Sequence, residues 1–282
     1  MKRIMIKISY DGTNYSGWQS GGIGVCIEDT INKCLKELTG EDIKIIGTSR
    51  TDSGVHAKGN IAVFDTESSI DPNVYNMALN NLLPLDIRIL ESREVDKSFH
   101  PRKVNSIKTY TYKVLNQKIS DPLKRLYSYF VYHNIDIEKM KEAASILIGE
   151  HDFMAFINPR SNIIQAGKLK ELEEMEEKEN ENESAVFEDE QYIYADNMKH
   201  TTIRTIFDID IKKDEDNIIT FTFKGNGFLY HQIRIMVGSL LRVGMNMWDV
   251  NKIVEILASK DRKNAGPTAP ACGLCLEEIV FE

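Results

Sequence analysis

Long apolar runs are missing from this sequence of 282 residues. No run approaches the roughly 18 residues that a membrane-spanning helix needs. The first residues, MKRIMIKISYDG, are typical of a strand rather than of a secretion signal. We therefore expect no membrane partner and a cytoplasmic location.

Cysteine and histidine are also scarce, with four and six residues respectively. Cys272 and Cys275 form a C-x-x-C pair, but the pair continues directly into GLCLEEIVF, whose alternation predicts a strand. No helix follows to lower a thiol pKa, and no second pair completes a zinc site. The histidines lack the spacing of metal ligands. The sequence thus predicts packing cysteines and no metal.

An excess of basic charge is absent as well, because the net charge is −8. Residues 168–200 contain twelve Asp or Glu and four Lys or Arg, so this one segment accounts for the whole imbalance. The rest of the chain is neutral, and its cations can cluster on one face. A nucleic acid therefore remains a possible partner.

The order of predicted elements indicates an α+β fold. The first half, 1–104, reads β-α-β-β-α-β, and the second half, 105–282, has similar parts with the acidic segment as an insertion at about 168–200. This order predicts a mixed, mainly antiparallel sheet with helices on one face. The predicted strands are 3–10, 43–48, 58–64, 87–94, 107–116, 127–132, 203–211, 218–223 and 274–281. The predicted helices are 26–38, one that follows an Asp71 cap, 137–148, 229–243 and 248–258.

The loop GTSRTDSGVHA, residues 47–57, carries more polar chemistry than a turn requires. An Asp-Ser-Gly sequence allows an aspartic protease, but that chemistry needs a second carboxylate, which only a symmetric dimer could supply. A single carboxylate, Asp52, near Arg50 instead suits a cation developing at a sugar carbon. A local turn ion pair of at most about 1 kcal/mol is the plain structural alternative.

Aromatic and basic residues alternate in a second region. In IKTYTYKVLN, Tyr110 and Tyr112 are interleaved with lysines such as Lys108, and Arg102 shortly precedes them. Bases stack on aromatic rings and phosphates pair with cations, so the pattern favours single-stranded RNA. Core packing of the tyrosines explains the same pattern structurally. Arg234, on an apolar helix, can reach a carboxylate or a phosphate, or form a structural salt bridge.

Eight stretches, in this order, resemble the TruA-type tRNA pseudouridine synthases over nearly the whole chain outside the acidic segment. The stretches are YDGTNYSGWQ, RTDSGVHA, FHPR, YTYKVLN, GEHDFMAF, TIRTI, GNGFLYHQIRIMVGSL and AGPTAPACGL.

The resemblance implies an enzyme that isomerises uridine in RNA, with the anticodon stem-loop of tRNA as the expected substrate. It implies that Asp52 is the catalytic aspartate, that Tyr110 stacks on the target base, that Arg50 helps displace the uridine and that Arg234 pairs with Asp52. It further implies no cofactor, a homodimer, and two ferredoxin-like (RRM-like) halves with a basic catalytic cleft between them.

Three further residues, His56, Arg102 and Lys108, lie within or beside the matching stretches, and we expect them to bind the RNA. Four positions depart from the family pattern: Ser49 and Asn60 replace glycine and glutamine, Lys108 replaces arginine, and Ile27 replaces glutamine. Because none of these is Asp52 or Tyr110, they affect the expected RNA more than the expected reaction. A divergent enzyme for another RNA, such as rRNA, and a non-catalytic RNA-binding protein are the alternatives.

Overall fold

Ten strands, most of which alternate apolar and polar residues, form the centre of the described part of the molecule. The computed structural model describes residues 1–19, 24–158 and 201–282, so the acidic segment 168–200 lies outside the described residues. The strands are β1 Lys2–Tyr10, β2 Ile46–Gly47, β3 His56–Thr66, β4 Ile87–Val95, β5 Ser106–Asn116, β6 Tyr129–Val131, β7 Gly149–Asp152, β8 Ile203–Lys213, β9 Ile218–Gly225 and β10 Leu274–Phe281.

One sheet contains all of these strands, in the order β4-β1-β3-β10-β5-β9-β8-β7, with β2 beside β3 and β6 beside β5. The β3–β10 and β5–β6 pairs are parallel and the other pairs are antiparallel. The first half has the order β4-β1-β3-β2, which is the ferredoxin-like arrangement of a β-α-β-β-α-β chain. The expected α+β class with a mixed, mainly antiparallel sheet is confirmed.

Strand β10 joins the two halves of the sheet. Leu276 pairs with Ala57 of β3 on one side and with Tyr110 of β5 on the other. Since neighbouring strands lie about 4.8 Å apart, β3 and β5 run about 10 Å from each other at this level. The loop that precedes β3 is thereby placed beside Tyr110. The division into 1–104 and 105–282 stays a prediction.

Five helices pack against the sheet and loops of the described residues. The helices are α1 Ile27–Thr39, α2 Tyr75–Asn80, α3 Ile137–Ser145, α4 Gln232–Gly244 and α5 Lys252–Ser259. Asp136 caps α3 by accepting from the Lys139 N–H at 3.1 Å. Asp71 accepts from the Asn73 N–H at 2.8 Å and caps the 3-10 turn Pro72–Val74, which directly precedes α2. Gly40, with φ 76°, ends the first helix in the left-handed region.

The structure differs from the predicted elements in three places. The strand predicted at 43–48 contracts to β2, because the Ile45 N–H donates to the side chain of Asn32 on α1 instead of to a strand. Helix α4 begins after His231, whose φ of 64° is not helical. Strand β7, with the sequence GEHD, lacks an alternating apolar pattern and was not predicted.

Two predicted absences concern membranes and metals. None of the described helices is both long and apolar enough to cross a membrane. Within the described residues, no group of three or more His, Cys, Asp or Glu is arranged to hold a metal ion.

Cys272 and Cys275 are free, and burial raises the pKa of both thiols, that of Cys275 to about 12. Both thiols are therefore protonated at neutral pH, and their role in packing stays a prediction.

Helix α4 and the loop 265–270 touch through their backbones. A Cβ atom on Gly238 would lie 1.8 Å from the Pro267 carbonyl oxygen. The Gly266 N–H donates to Ser239 Oγ at 2.9 Å, and the Ala269 N–H donates to the Arg234 carbonyl at 3.0 Å. The contact depends on glycine and fixes the loop relative to Arg234.

We expect Gly238→Ala to lower the free energy of unfolding by about 3 kcal/mol or more, because a backbone carbonyl must move to admit the methyl group. Gly40→Ala is the matched control. It has open space around the new Cβ but the same left-handed φ of 76°, so it should cost only about 1 kcal/mol. Urea unfolding measures both. Equal losses would show that the α4 contact is not tight.

Candidate active site

The loop 47–57 is held by the segment YDGTNYSGW of residues 10–18. The Tyr10 hydroxyl and Thr51 Oγ1 lie 2.7 Å apart, and the Trp18 N–H donates to the Thr51 carbonyl at 3.0 Å. Gly17 permits this approach, because its φ is 105° and a Cβ there would meet the Thr51 oxygen at 2.7 Å. Residue 51 is therefore fixed on both sides, and Asp52 follows it.

Asp52 forms an ion pair with Arg234 across the two halves of the chain. Arg234 Nη1 donates to Asp52 Oδ2 at 2.9 Å, and each side chain is only 13% exposed. Arg234 Nε also donates to the Ala269 carbonyl at 2.7 Å. The guanidinium is thus held at two points, and it fixes the position of the carboxylate.

His231 is a second neighbour of the carboxylate. Its Nε2 lies 3.5 Å from Asp52 Oδ2, and its Nδ1 lies 2.9 Å from Nδ2 of Asn158. Because an amide N–H donates to Nδ1, the proton of the neutral ring lies on Nε2 and faces Asp52. Burial lowers the pKa of His231, and the charge of Asp52 acts in the opposite direction. The histidine therefore presents a neutral donor to the carboxylate at neutral pH.

Tyr110 is buried close to Asp52. Its side chain is 7% exposed, its hydroxyl lies 3.0 Å from Ser49 Oγ, and its ring meets Phe228 edge-on with centroids 5.4 Å apart. Burial raises the pKa of Tyr110 to about 12, and the charge of Asp52 contributes in the same direction. The tyrosine is therefore neutral and close enough to Asp52 to feel its charge.

Two departures from the family pattern contact each other here. The Asn60 amide donates to the Ser49 carbonyl at 3.0 Å, while the Ser49 hydroxyl bonds to Tyr110. Ser49 and Asn60 are both buried. The substituted positions thus form a neutral network beneath the tyrosine rather than a surface that meets RNA.

The three cations predicted to bind RNA differ in how exposed their side chains are. Arg50 is exposed, next to Asp52 in sequence. Arg102 is half-buried and donates from Nε to the Gly47 carbonyl at 2.7 Å, at the start of the loop. Lys108 is half-buried on β5, two residues before Tyr110 and therefore on the same face of the sheet.

His56 is placed differently from the other predicted site residues. It is buried, its Nδ1 lies 3.1 Å from the Gly12 nitrogen and 3.0 Å from Asp11 Oδ1, and its Nε2 lies 3.0 Å from the Leu126 carbonyl. Both ring nitrogens are occupied by protein groups. The structure therefore gives His56 a role in holding loops together and does not support the predicted contact with RNA.

Comparisons with known proteins identify the family of this chain. The profile of a family described as tRNA pseudouridine synthase matches residues 6–102 and 187–282. The chain belongs to this family. Relatives named tRNA pseudouridine synthase A, from Thermoanaerobacter sp. strain X514 and Acetivibrio thermocellus, are 38% and 39% identical over the whole of both chains. A relative named tRNA pseudouridine synthase A 2, from Clostridium tetani, is 40% identical over 99% of each chain.

Membership of the tRNA pseudouridine synthase family confirms the resemblance stated from the sequence. The roles of individual residues stay predictions, and the structure adds His231 and Ser49 to them. His231 lies inside the predicted helix 229–243, in LYHQIR, and no sequence pattern distinguishes it from its neighbours. Its contact with Asp52 depends on a left-handed backbone that no local pattern indicates.

The Asp52–Arg234 pair should be strongly coupled in stability. Arg234→Met leaves a buried carboxylate unpaired and should cost about 3 kcal/mol. Because Asp52→Asn removes that charge, the double variant should cost less than the sum of the single variants by about 1–3 kcal/mol. Urea unfolding at pH 7 measures the cycle.

The exposed ion pair of Lys36 and Asp42, at 3.0 Å with side chains 63% and 81% exposed, is the matched control. Its coupling should remain below about 1 kcal/mol. Additive losses for Asp52 and Arg234 would show that the two charges do not stabilise each other.

Proposed function

We propose that this member of the family converts uridine to pseudouridine in tRNA, with Asp52 as its catalytic residue. The observation that carries the proposal is the carboxylate of Asp52 held at 2.9 Å by Arg234, next to the buried ring of Tyr110. The family membership and the names of the relatives support tRNA as the substrate.

The reaction is an isomerisation, so atoms balance without a co-reactant. The bond between N1 of uracil and C1′ of ribose breaks, the base turns, and C5 forms a bond to C1′. The proton on C5 leaves and N1 ends with a proton. No oxidant or external group enters.

Asp52 acts on the ribose in this mechanism. Breaking the glycosidic bond develops positive charge at the sugar, and a carboxylate is the group that opposes such charge. It can do so by bonding to the sugar carbon or by accepting a sugar proton, and both routes need the ionised carboxylate. Arg234 and His231 hold it in position from the side of α4.

Tyr110 holds the base in this mechanism. A uridine must leave its stack to reach Asp52, which costs a few kcal/mol, and the detached uracil must not escape. The ring of Tyr110 offers a face for stacking, and its position is fixed by Ser49 on one side and Phe228 on another. Arg50, Arg102 and Lys108 surround the entrance with positive charge that suits the RNA backbone.

The anticodon stem-loop is the part of tRNA that we propose as the target. A divergent enzyme for another RNA, such as rRNA, is the second candidate, and the acidic segment and Lys108, which stands in place of the family's arginine, favour it. We also propose the homodimer and the cytoplasmic location that were expected from the sequence. Sedimentation of the purified protein and fractionation of cells test these two proposals.

Asp52→Asn should abolish pseudouridine formation, because the amide carries no charge to oppose the sugar cation. Tritium release from tRNA labelled at C5 of uridine measures this. Asp42→Asn, at the exposed ion pair, should release tritium at the rate of the unaltered protein. Release by the Asp52 variant at that rate would remove Asp52 from catalysis. Absence of release from the unaltered protein on both tRNA and rRNA would leave the non-catalytic RNA-binding protein as the better explanation.

Tyr110→Ala should reduce turnover by a factor of about 100 or more, since the base loses its stacking partner and the loop loses the bond to Ser49. Tyr110→Phe keeps the ring and loses only the hydroxyl, so the base should still stack and part of the activity should remain. Single-turnover tritium release separates the two. Equal rates for the alanine and phenylalanine variants would contradict stacking on the ring.

A further inference from the structure

Lys108 is a cation placed where the sheet offers it no partner. It lies on β5 with Gly225 of β9 and Ile279 of β10 as its cross-strand neighbours, and neither neighbour is charged. The ammonium group makes no hydrogen bond or ion pair to any residue of the described ranges. Its side chain is half-buried. A half-buried cation without an anion is costly in free energy.

Arg204 is a second cation of the same kind. It lies on β8, two residues before Ile206, which pairs with Gly225, the partner of Lys108. Its Nη1 donates to the carbonyls of Thr201 and Ile203 at 2.9 and 2.6 Å, and it has no carboxylate partner among the described residues. Those two carbonyl bonds fix the guanidinium without neutralising its charge.

The positive charges act on one another. Burial, together with the charges of Arg204 and Arg102, lowers the pKa of Lys108 to about 8. Burial also lowers the pKa of Arg204. Those two arginines are the charged groups that act on Lys108 from the elements packed around it in the described chain. No carboxylate is among the groups that shift the pKa of Lys108.

A structural lysine would extend fully into solvent or pair with a carboxylate, whereas Lys108 is half-buried and has no ion pair with a carboxylate of the described residues. An anion that binds from outside would supply the missing charge. A phosphodiester suits it best, because its oxygens can accept from an ammonium and from a guanidinium at once. Lys108 lies on the Tyr110 face of β5, so such an anion would lie beside the nucleotide held at Tyr110.

We propose that Lys108 and Arg204 together bind one backbone phosphodiester of the RNA, next to the nucleotide that stacks on Tyr110. This inference rests on the proposed function, which identifies the polyanion as RNA.

Binding at this site takes up a proton. The free protein begins to lose the Lys108 proton as the pH rises through about 8, whereas a bound phosphate holds that proton on the amine. Affinity for RNA is therefore full below pH 8 and falls as the pH rises above it, by at most tenfold per pH unit. An arginine at this position would stay charged and remove the dependence.

Binding of a fluorescent anticodon stem-loop RNA, measured by anisotropy at several salt concentrations, tests the site. Lys108→Met should weaken binding about tenfold and reduce the slope of log K against log salt by roughly 0.7–0.9, the share of one phosphate. Arg204→Gln should do the same. The double variant should lose less than the product of the two factors, because both residues bind one group.

Lys212→Met is the matched control, since Lys212 is an exposed lysine of β8 paired with Asp210 at 2.6 Å. Lys212→Met should change the affinity for RNA and the salt slope by less than Lys108→Met does. The thermal midpoint of Lys108→Met should be equal to or above that of the unaltered protein, because an unpaired cation is removed. Unchanged affinity and slope in both Lys108→Met and Arg204→Gln would overturn the proposal.

Calorimetry in two buffers of different ionisation enthalpy counts the protons. At pH 8 the unaltered protein should take up about half a proton on binding RNA, and Lys108→Arg should take up none while binding with similar affinity. Equal uptake by both proteins would overturn the proposal. If the Lys108 and Arg204 variants bind RNA and release tritium as the unaltered protein does, only the phosphodiester site is rejected. If the unaltered protein itself neither binds RNA nor releases tritium, the proposed function is rejected as well.

Discussion

The ion pair of Asp52 and Arg234 is the interaction on which the site depends. It joins residues 182 positions apart, one on a loop of the first half and the other on a helix of the second. Arg234 can reach the carboxylate only because its Nε is held by the Ala269 carbonyl, and that carbonyl is placed where α4 and the loop 265–270 touch at Gly238. A backbone contact without any charge therefore determines where the charged groups meet.

Charges around the site are distributed unevenly: the carboxylate proposed for catalysis is paired with an arginine, and the cations proposed to bind RNA lie to one side of it. The negative charge of Asp52 is opposed by Arg234, so the carboxylate is held without being exposed. Beneath it the Ser49, Asn60 and Tyr110 network is neutral. Toward the side of Lys108, Lys108 and Arg204 have no ion pair with a carboxylate of the described residues, which leaves the charge of both available to a polyanion. One region fixes a reacting group and the adjoining region attracts the substrate.

Much of the fold followed from local patterns, because period-two alternation and capping residues act over a few positions. Strands β5 and β10 and the Asp136 cap were predicted in this way. The shortening of β2 was not, since a side chain on α1 takes its backbone hydrogen bond. The pairing of Asp52 with Arg234 came from resemblance rather than pattern, as no local rule relates residues so distant. His56 was predicted to bind RNA, yet the tertiary structure occupies both of its nitrogens.

The central position of β10 affects how the molecule is made. Strands β3 and β5 are translated long before β10, which begins at Leu274, yet they become neighbours only through it. Until then the nascent chain has two unsatisfied strand edges, which are prone to pairing with other chains. Without β10, the two halves of the sheet have no strand to join them. The loop 47–57 and Tyr110 are therefore brought together only by a chain that includes the joining strand.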